Sequence, residues 1–324
     1  MKLPRRQFLH LAAGAALPAV SRVAGAQAYP TRPVRVMVGF APGQAIDIVT
    51  RIIGQRLSER LGQQFIIENR PGAGGNIATE VVARAPADGY TLLAIGSNNM
   101  INPTLYQNLN YDFIRDIAPV ASVYRVPQVM EVNPSFPAKT VPEFIAYAKA
   151  HPGEISFASA GNGSVAHVTG ELFKMMTGVN MLHVPYRGAP PALTDLIAGQ
   201  VHVMFDNMPS SIEHIRAGRL RPLAVTATTR LDALPDVPPL GDFVPGFETS
   251  AWAGIGAPKN TPAEIIDTLN REINAVLADP TIKTRIADLG GEMFALSPSE
   301  YTRRIAEETD KWAKVIKFSG AKAD

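Results

Sequence analysis

Val34-Arg35-Val36-Met37-Val38-Gly39-Phe40, then Ala41-Pro42-Gly43, then Gln44-Ala45-Ile46-Asp47 is the stretch whose reading decides the fold class. The apolar, β-branched run 34–40 has the make-up of a buried strand. Pro42-Gly43 stops it, and Ile46, Val49, Ile53 and Leu57 then recur at helical spacing. Strand, tight loop and helix return at once, as a strand over 65–68, a turn-rich loop over 69–75 and a helix over 77–83. A third strand over 91–95 leads into another loop of small polar residues, 96–103. Short apolar strands alternating with helices imply a largely parallel sheet, and ligands of such sheets lie beyond the carboxyl ends of the strands.

Two more strands are expected over 120–124 and 129–132, and Thr140-Val141-Pro142-Glu143 is a capping box that opens a helix to Ala150. A second α/β set follows. Its strands fall over 155–158, 181–184, 203–205 and 223–225, with helices from Val165, over 192–198 and over 211–217. The tail is helical, headed by the capping boxes Thr261-Pro262-Ala263-Glu264 and Ser297-Pro298-Ser299-Glu300. The apolar stretch ending at Asn133-Pro134 is echoed by the one ending at Ala257-Pro258. These read as two strand connections near a lobe junction, so the chain crosses between lobes twice.

Residues 1–28 read as a signal peptide: Lys2, Arg5 and Arg6 precede the apolar run 8–20, and small residues follow. The run is too short to span a bilayer. Arg5-Arg6-Gln7-Phe8-Leu9 is similar to a twin-arginine export signal, with Pro4 and His10 as departures and ordinary Sec export as the alternative. Cleavage fits after Ala26 or after Ala28. Loss of the first 26 residues removes Lys2, Arg5, Arg6 and Arg22 and no acid, so the formal net charge passes from +2 to −2. A near-neutral chain without a basic tract argues against nucleic acid and anionic membrane surfaces as partners. The absence of cysteine suits an oxidising compartment and excludes thiolate chemistry. Roughly 300 mature residues exceed what one core usually organises, which predicts two lobes.

Four loops join an apolar strand to a helix through small residues, and helix starts of that kind are ready-made anion sites. They contribute Phe40, Ala41, Gly43, Gln44 and Asp47; Gly72 and Ala73; Ser97 and Asn98; and Ser159, Ala160, Gly163, Ser164 and His167. Each has a plainer reading: the Gly72–Gly75 run as a turn, Asp47 as a first-turn acid favoured by the helix dipole, His167 as a packed imidazole. Catalysis finds little support. Ser164 and His167 lie on one helix without a Gly-x-Ser-x-Gly elbow, none of the six histidines forms an i, i+4 pair, and no nucleotide-binding glycine motif is present. No catalytic residue, metal or cofactor is expected.

The residues resemble a known family. Phe40 to Asp47 with Arg51, Glu68 to Gly75, Ala158 to Ser164 with His167, Val184-Pro185-Tyr186-Arg187-Gly188, and Gly199-Gln200-Val201 leading to Phe205-Asp206 look like the Bug receptors of tripartite tricarboxylate transporters. The likeness runs from about Tyr29 to Trp312. It implies an α/β, type II-like periplasmic-binding-protein fold of two lobes, each a mostly parallel sheet flanked by helices, joined by two crossover strands. On that pattern residues 29–124 plus 228–324 form one lobe and 125–227 the other. The resemblance further implies a monomer in the periplasm that takes a small organic acid and passes it to integral membrane subunits. A ligand-sensing receptor for a membrane signalling partner and a secreted hydrolase are the alternatives. Tyr186 and Phe40 would supply apolar walls, and Asp206 and Asp47 could each receive an ammonium or hydroxyl group. Arg187 would either clamp a distal carboxylate or pair with an acid such as Asp206. Gln44 and Ile46 depart from the family pattern, which usually has a second glycine and a small or hydroxyl residue there.

Overall fold

The computed structural model describes residues 29–288 and 290–323, so the expected signal peptide over 1–28 lies outside the described residues. From the amino end the elements are β1 (Val34–Val38), α1 (Ala45–Leu61), β2 (Phe65–Asn69), α2 (Asn76–Ala83), β3 (Thr91–Gly96), α3 (Asn98–Leu105), α4 (Phe113–Asp116) and β4 (Ile117–Val132). Next come α5 (Val141–Ala150), β5 (Ile155–Ser159), α6 (Val165–Thr177), β6 (Met181–Pro185), α7 (Ala189–Ile197), β7 (Val203–Asn207), α8 (Met208–Arg216) and β8 (Arg221–Val225). The chain closes with β9 (Ser250–Pro258), α9 (Ala263–Leu277), α10 (Pro280–Asp288), β10 (Glu292–Met293) and α11 (Pro298–Ser319).

The strands lie in the order β2-β1-β3-β9-β4-β7-β5-β6, with β8 and β10 also on β4. One lobe holds the parallel set β2-β1-β3, the other the parallel set β7-β5-β6. Between them run the antiparallel crossover strands β4 and β9, paired from Ile117 opposite Pro258 to Pro127 opposite Ser250. Both faces of β1 are covered: Val34, Val36 and Val38 pack with Val49, Ile53 and Leu57 of α1, and Met37 joins the cluster on the other face. Burial of each such side chain contributes about 1.5–3 kcal/mol, which explains why Val36-Met37-Val38 reads as continuous apolar sequence rather than alternation, while Arg35 is exposed and pairs with Glu68 at 2.6 Å.

Two local expectations are corrected. The strands expected over 120–124 and 129–132 are one strand, β4, which continues through Pro127. Pro127 falls where β4 leaves β9 and takes β7 and β8 as partners, so its missing N–H interrupts no ladder run. The Thr261 capping box is not formed. Thr261 Oγ1 donates to the Pro258 carbonyl at 2.7 Å, and Pro262 takes the N-cap position of α9. The boxes at the other two helices hold in full at Ser297 and in part at Thr140, whose hydroxyl accepts the Glu143 N–H.

Where β4 changes partners, the fully buried Gln128 ties the junction together. Its amide donates to the Phe205 carbonyl at 2.9 Å and its Oε1 accepts from Thr169 at 2.6 Å and Thr249 at 3.2 Å, while its backbone N–H donates to Thr226 Oγ1 at 2.9 Å. Farther along, Glu131 of β4 and Asp206 of β7 share the Ser211 hydroxyl, at 2.6 and 3.1 Å. Burial pushes both carboxyls up, Glu131 well above the carboxylate range and Asp206 to about 6.

Two predictions follow from this packing. A Cβ at Gly254 of β9 would lie 2.6 Å from the Ala121 carbonyl oxygen and collide with the Tyr301 ring, so Gly254→Ala should lower the urea-unfolding free energy by about 1–3 kcal/mol. Because the folded pKa of Asp206 is raised, the stability carried by its protonated form is full below about pH 4 and is lost as pH rises through about 6. The Asp206→Asn protein should therefore gain stability relative to wild type between pH 4.5 and 7.5. A difference that stays constant across that range refutes the assignment.

Candidate ligand-binding site

The carboxyl ends of β1, β3, β5, β6 and β7 all open toward one cavity of about 460 Å³ between the two strand sets. Each of these strands turns into a helix there. The residues at the N-caps of those helices, Gln44 of α1, Ser97 of α3, Ser164 of α6, Gly188 of α7 and Asn207 of α8, line the cavity wall. A helix start carries unpaired N–H groups and the positive end of a dipole worth roughly half a charge; Pro190 and Pro191 of α7 and Pro209 of α8 have no N–H, so the donors come chiefly from α1, α3 and α6. Among the described residues, no Asp, Glu, Lys, Arg or His side chain lines this space.

Of the residues singled out in the sequence, Phe40, Gln44, Ser97, Asn98, Ala160, Gly163 and Ser164 are brought together on the wall. Ala41, Gly43, Asp47, Gly72, Ala73, Ser159, His167, Tyr186, Arg187 and Asp206 are not on it, and most of their polar groups bond to the protein itself. Asp47 is 2 % exposed. It accepts the Gly43 N–H at 2.8 Å and the Asn69 amide at 2.8 Å and pairs with Arg51 at 3.0 Å. Burial works to raise its pKa, but the hydrogen bonds from Arg51, Gly43 and Asn69 outweigh it and hold the carboxyl below its ordinary value. Asp47 thus braces the β1–α1 loop from behind.

The β5–α6 loop is braced in the same way. Gly163 donates its N–H to His167 Nδ1 at 3.0 Å, and the Ser164 hydroxyl accepts the His167 N–H at 3.2 Å. The buried Ser159 hydroxyl lies 2.7 Å from His183 Nε2, and the two imidazoles stack at 3.9 Å with 5° between planes. Burial, with His167 and Lys174 nearby, pushes His183 down to about 3, so the His183 ring is neutral at physiological pH. Tyr186 donates to Asp195 at 2.7 Å, and its pKa is pushed up to about 12 by burial and that acid. Arg187 is exposed and unpaired with Asp206, whose carboxyl is held by Ser211.

Several wall residues were not among the site residues expected from the sequence. Ala45, Ile46, Gly74, Gly96, Asn102, Leu105, Tyr106, Asn162, Val165 and Gly188 flank the recognised loops. Tyr124, Asn207, Ala251 and Trp252 come from β4, β7 and β9. A glance at neighbours within each loop could have found the first group; only the pairing of β4 with β9 brings in Tyr124 and Trp252. Trp252 is wedged between the Phe294 ring, edge-on at 4.7 Å, and the Arg304 guanidinium 4.7 Å from its own ring centre, and its backbone N–H donates to Ser97 Oγ at 2.8 Å. The lobes meet at Leu105, whose side chain lies against Gly163. Gly163 has φ +73°, a conformation that favours glycine.

Residues 49–321 match the family described as the tripartite tricarboxylate transporter family receptor. Protein BugT of Bordetella pertussis is 38% identical over 300 residues, 92% of each chain. Among solved structures, an R. palustris protein with adipate is 40% identical with a TM-score of 0.77, covering 90% of this chain and 98% of that one. MatC from Rhodopseudomonas palustris with bound malate is 33% identical with a TM-score of 0.74, covering 89% and 100%. The periplasmic binding protein BugD is 34% identical with a TM-score of 0.74, covering 91% and 100%. A family match across most of the chain and relatives of this identity over nearly their whole length agree with the two-lobed architecture, and the chain belongs to the Bug family of tripartite tricarboxylate transporter receptors.

Proposed function

We propose that this protein is a periplasmic solute-binding protein that captures a small carboxylate-bearing metabolite between its lobes and delivers it to the integral membrane subunits of a tripartite tricarboxylate transporter. The observation that carries the reading is the convergence of five helix starts on one cavity without a charged side chain. Hydrogen bonds to a charged acceptor contribute about 1.5–3 kcal/mol each, so four of them give roughly 6–12 kcal/mol, and micromolar binding requires about 8. Backbone donors therefore suffice without a cation. The relatives solved with adipate and with malate support a carboxylate as the ligand, and the relative named as a periplasmic binding protein supports the compartment. No helix among the described residues is long and apolar enough to cross a membrane.

On this reading residues 29–124 plus 228–324 form one lobe, 125–227 form the other, and ligand favours their closure through contacts made to both sides at once. Capture followed by release calls for no nucleophile, metal or cofactor, and the protein acts as a monomer. Ser164 caps α6 on the cavity wall, and on this reading its hydroxyl and the first N–H groups of α6 would face the anion. Ser164→Ala should weaken adipate or malate binding about tenfold by titration calorimetry. An unaltered affinity would place the ligand elsewhere.

A further inference from the structure

The cavity wall is of two kinds. Helix starts supply N–H groups, while Phe40, Ile46, Leu105, Tyr124, Val165 and Trp252 supply broad apolar surface. Arg51 is committed to Asp47 and Asn69 and Arg125 to Glu248 and Glu292, and the exposed Arg187, next to Gly188, does not line the cavity. Of the five side-chain amides on the wall, Asn98 and Asn102 both donate to the Gly74 carbonyl, at 2.7 and 3.0 Å, while the buried Asn207 Oδ1 has no hydrogen-bond partner and offers a single acceptor. A compact acid with several carboxylates or hydroxyls would press its additional polar groups against carbon, with the loss of hydration that this entails.

We infer that the ligand is an organic acid whose carboxylate is joined to an apolar body, a medium straight-chain or aromatic acid, in preference to a compact hydroxylated di- or tricarboxylate. This rests on the cleft reading above and narrows it. One departure noted in the sequence points the same way. Ile46 puts a branched hydrocarbon where the family commonly has a small or hydroxyl residue. It is 9 % exposed, and a Cβ built on Gly96 would meet its Cδ1 at 3.2 Å, so it has little room to swing away. Val165, the first residue of α6, stands directly beside the Ser164 cap, so hydrocarbon begins one residue from the proposed anion donors.

The test is titration calorimetry of the whole mature chain with butanoate, pentanoate, hexanoate and heptanoate, with malate and citrate alongside. Each methylene moved from water onto apolar wall should tighten Kd about fourfold, the equivalent of about 0.8 kcal/mol. Val165→Thr, which keeps the shape and exchanges a methyl for a hydroxyl, should weaken hexanoate about three- to tenfold and leave malate unchanged. A Kd that stays flat along the series, a citrate or malate Kd below that of hexanoate, or a Val165→Thr protein indistinguishable from wild type overturns the assignment. If malate binds tightly in a Ser164-dependent way while the chain series is flat, the substrate class is wrong and the cleft reading stands. If none of the acids binds, both fall together.

Discussion

Holding an organic anion without a fixed cation requires several N–H dipoles to share one small space, and here the antiparallel pairing of β4 with β9 is what brings them together. Each parallel set presents its helix starts at the carboxyl ends of its strands. One set alone has too few of them facing the same point. With β4 and β9 between the sets, α1 and α3 face α6, α7 and α8 across the cavity. The buried network around Gln128, with Thr169, Thr226 and Thr249 as partners, pins the place where β4 passes from one set to the other. Such a network is favourable only when satisfied, so its members constrain one another.

A site built from backbone donors puts its polar side chains to an indirect use. A loop N–H is a useful donor only if the loop is held still, because ordering it on binding would consume the interaction. Asp47 holds the β1–α1 loop, and the stacked His167 and His183 hold the β5–α6 loop through Gly163 and Ser159. Their polar atoms are satisfied within the protein, and the surface they leave at the wall is largely carbon and N–H. The low pKa of His183 fits this role, since a neutral ring can stack on its neighbour without charge repulsion.

The long helix α11 adds a constraint on motion between the lobes, because its apolar residues Trp312, Val315 and Ile316 join a cluster that includes Ile101 of α3 and Val168 and Leu172 of α6. Its polar face carries Glu308, which is 3 % exposed and pairs with Lys311 at 2.6 Å and Arg304 at 3.3 Å. Arg304 in turn reaches Glu248, just ahead of β9, and covers Trp252 on the cavity wall. The face of Trp252 that the cavity sees is therefore set by a residue far from it in the chain.

What the sequence determined by itself was whatever depends on short-range order. The run 34–40 with the periodic Ile46, Val49, Ile53 and Leu57, the repetition of that unit, and the small-residue loops after the strands were enough for two α/β sets and for Phe40, Gln44, Ser97, Asn98, Ala160, Gly163 and Ser164 at the cavity. The motifs at Glu68 to Gly75 and Val184 to Gly188 carried the family likeness. The tertiary structure alone decided which way each polar side chain turned. Asp47, Ser159, His167, Tyr186 and Asp206 occupy ligand-loop positions in sequence, yet their partners Asn69, His183, Gly163, Asp195 and Ser211 lie on whichever side of the loop the packing left open. It alone also brought Tyr124, Ala251 and Trp252 to the wall, since strand pairing across more than a hundred residues is set by which buried faces can meet, and no local pattern encodes that.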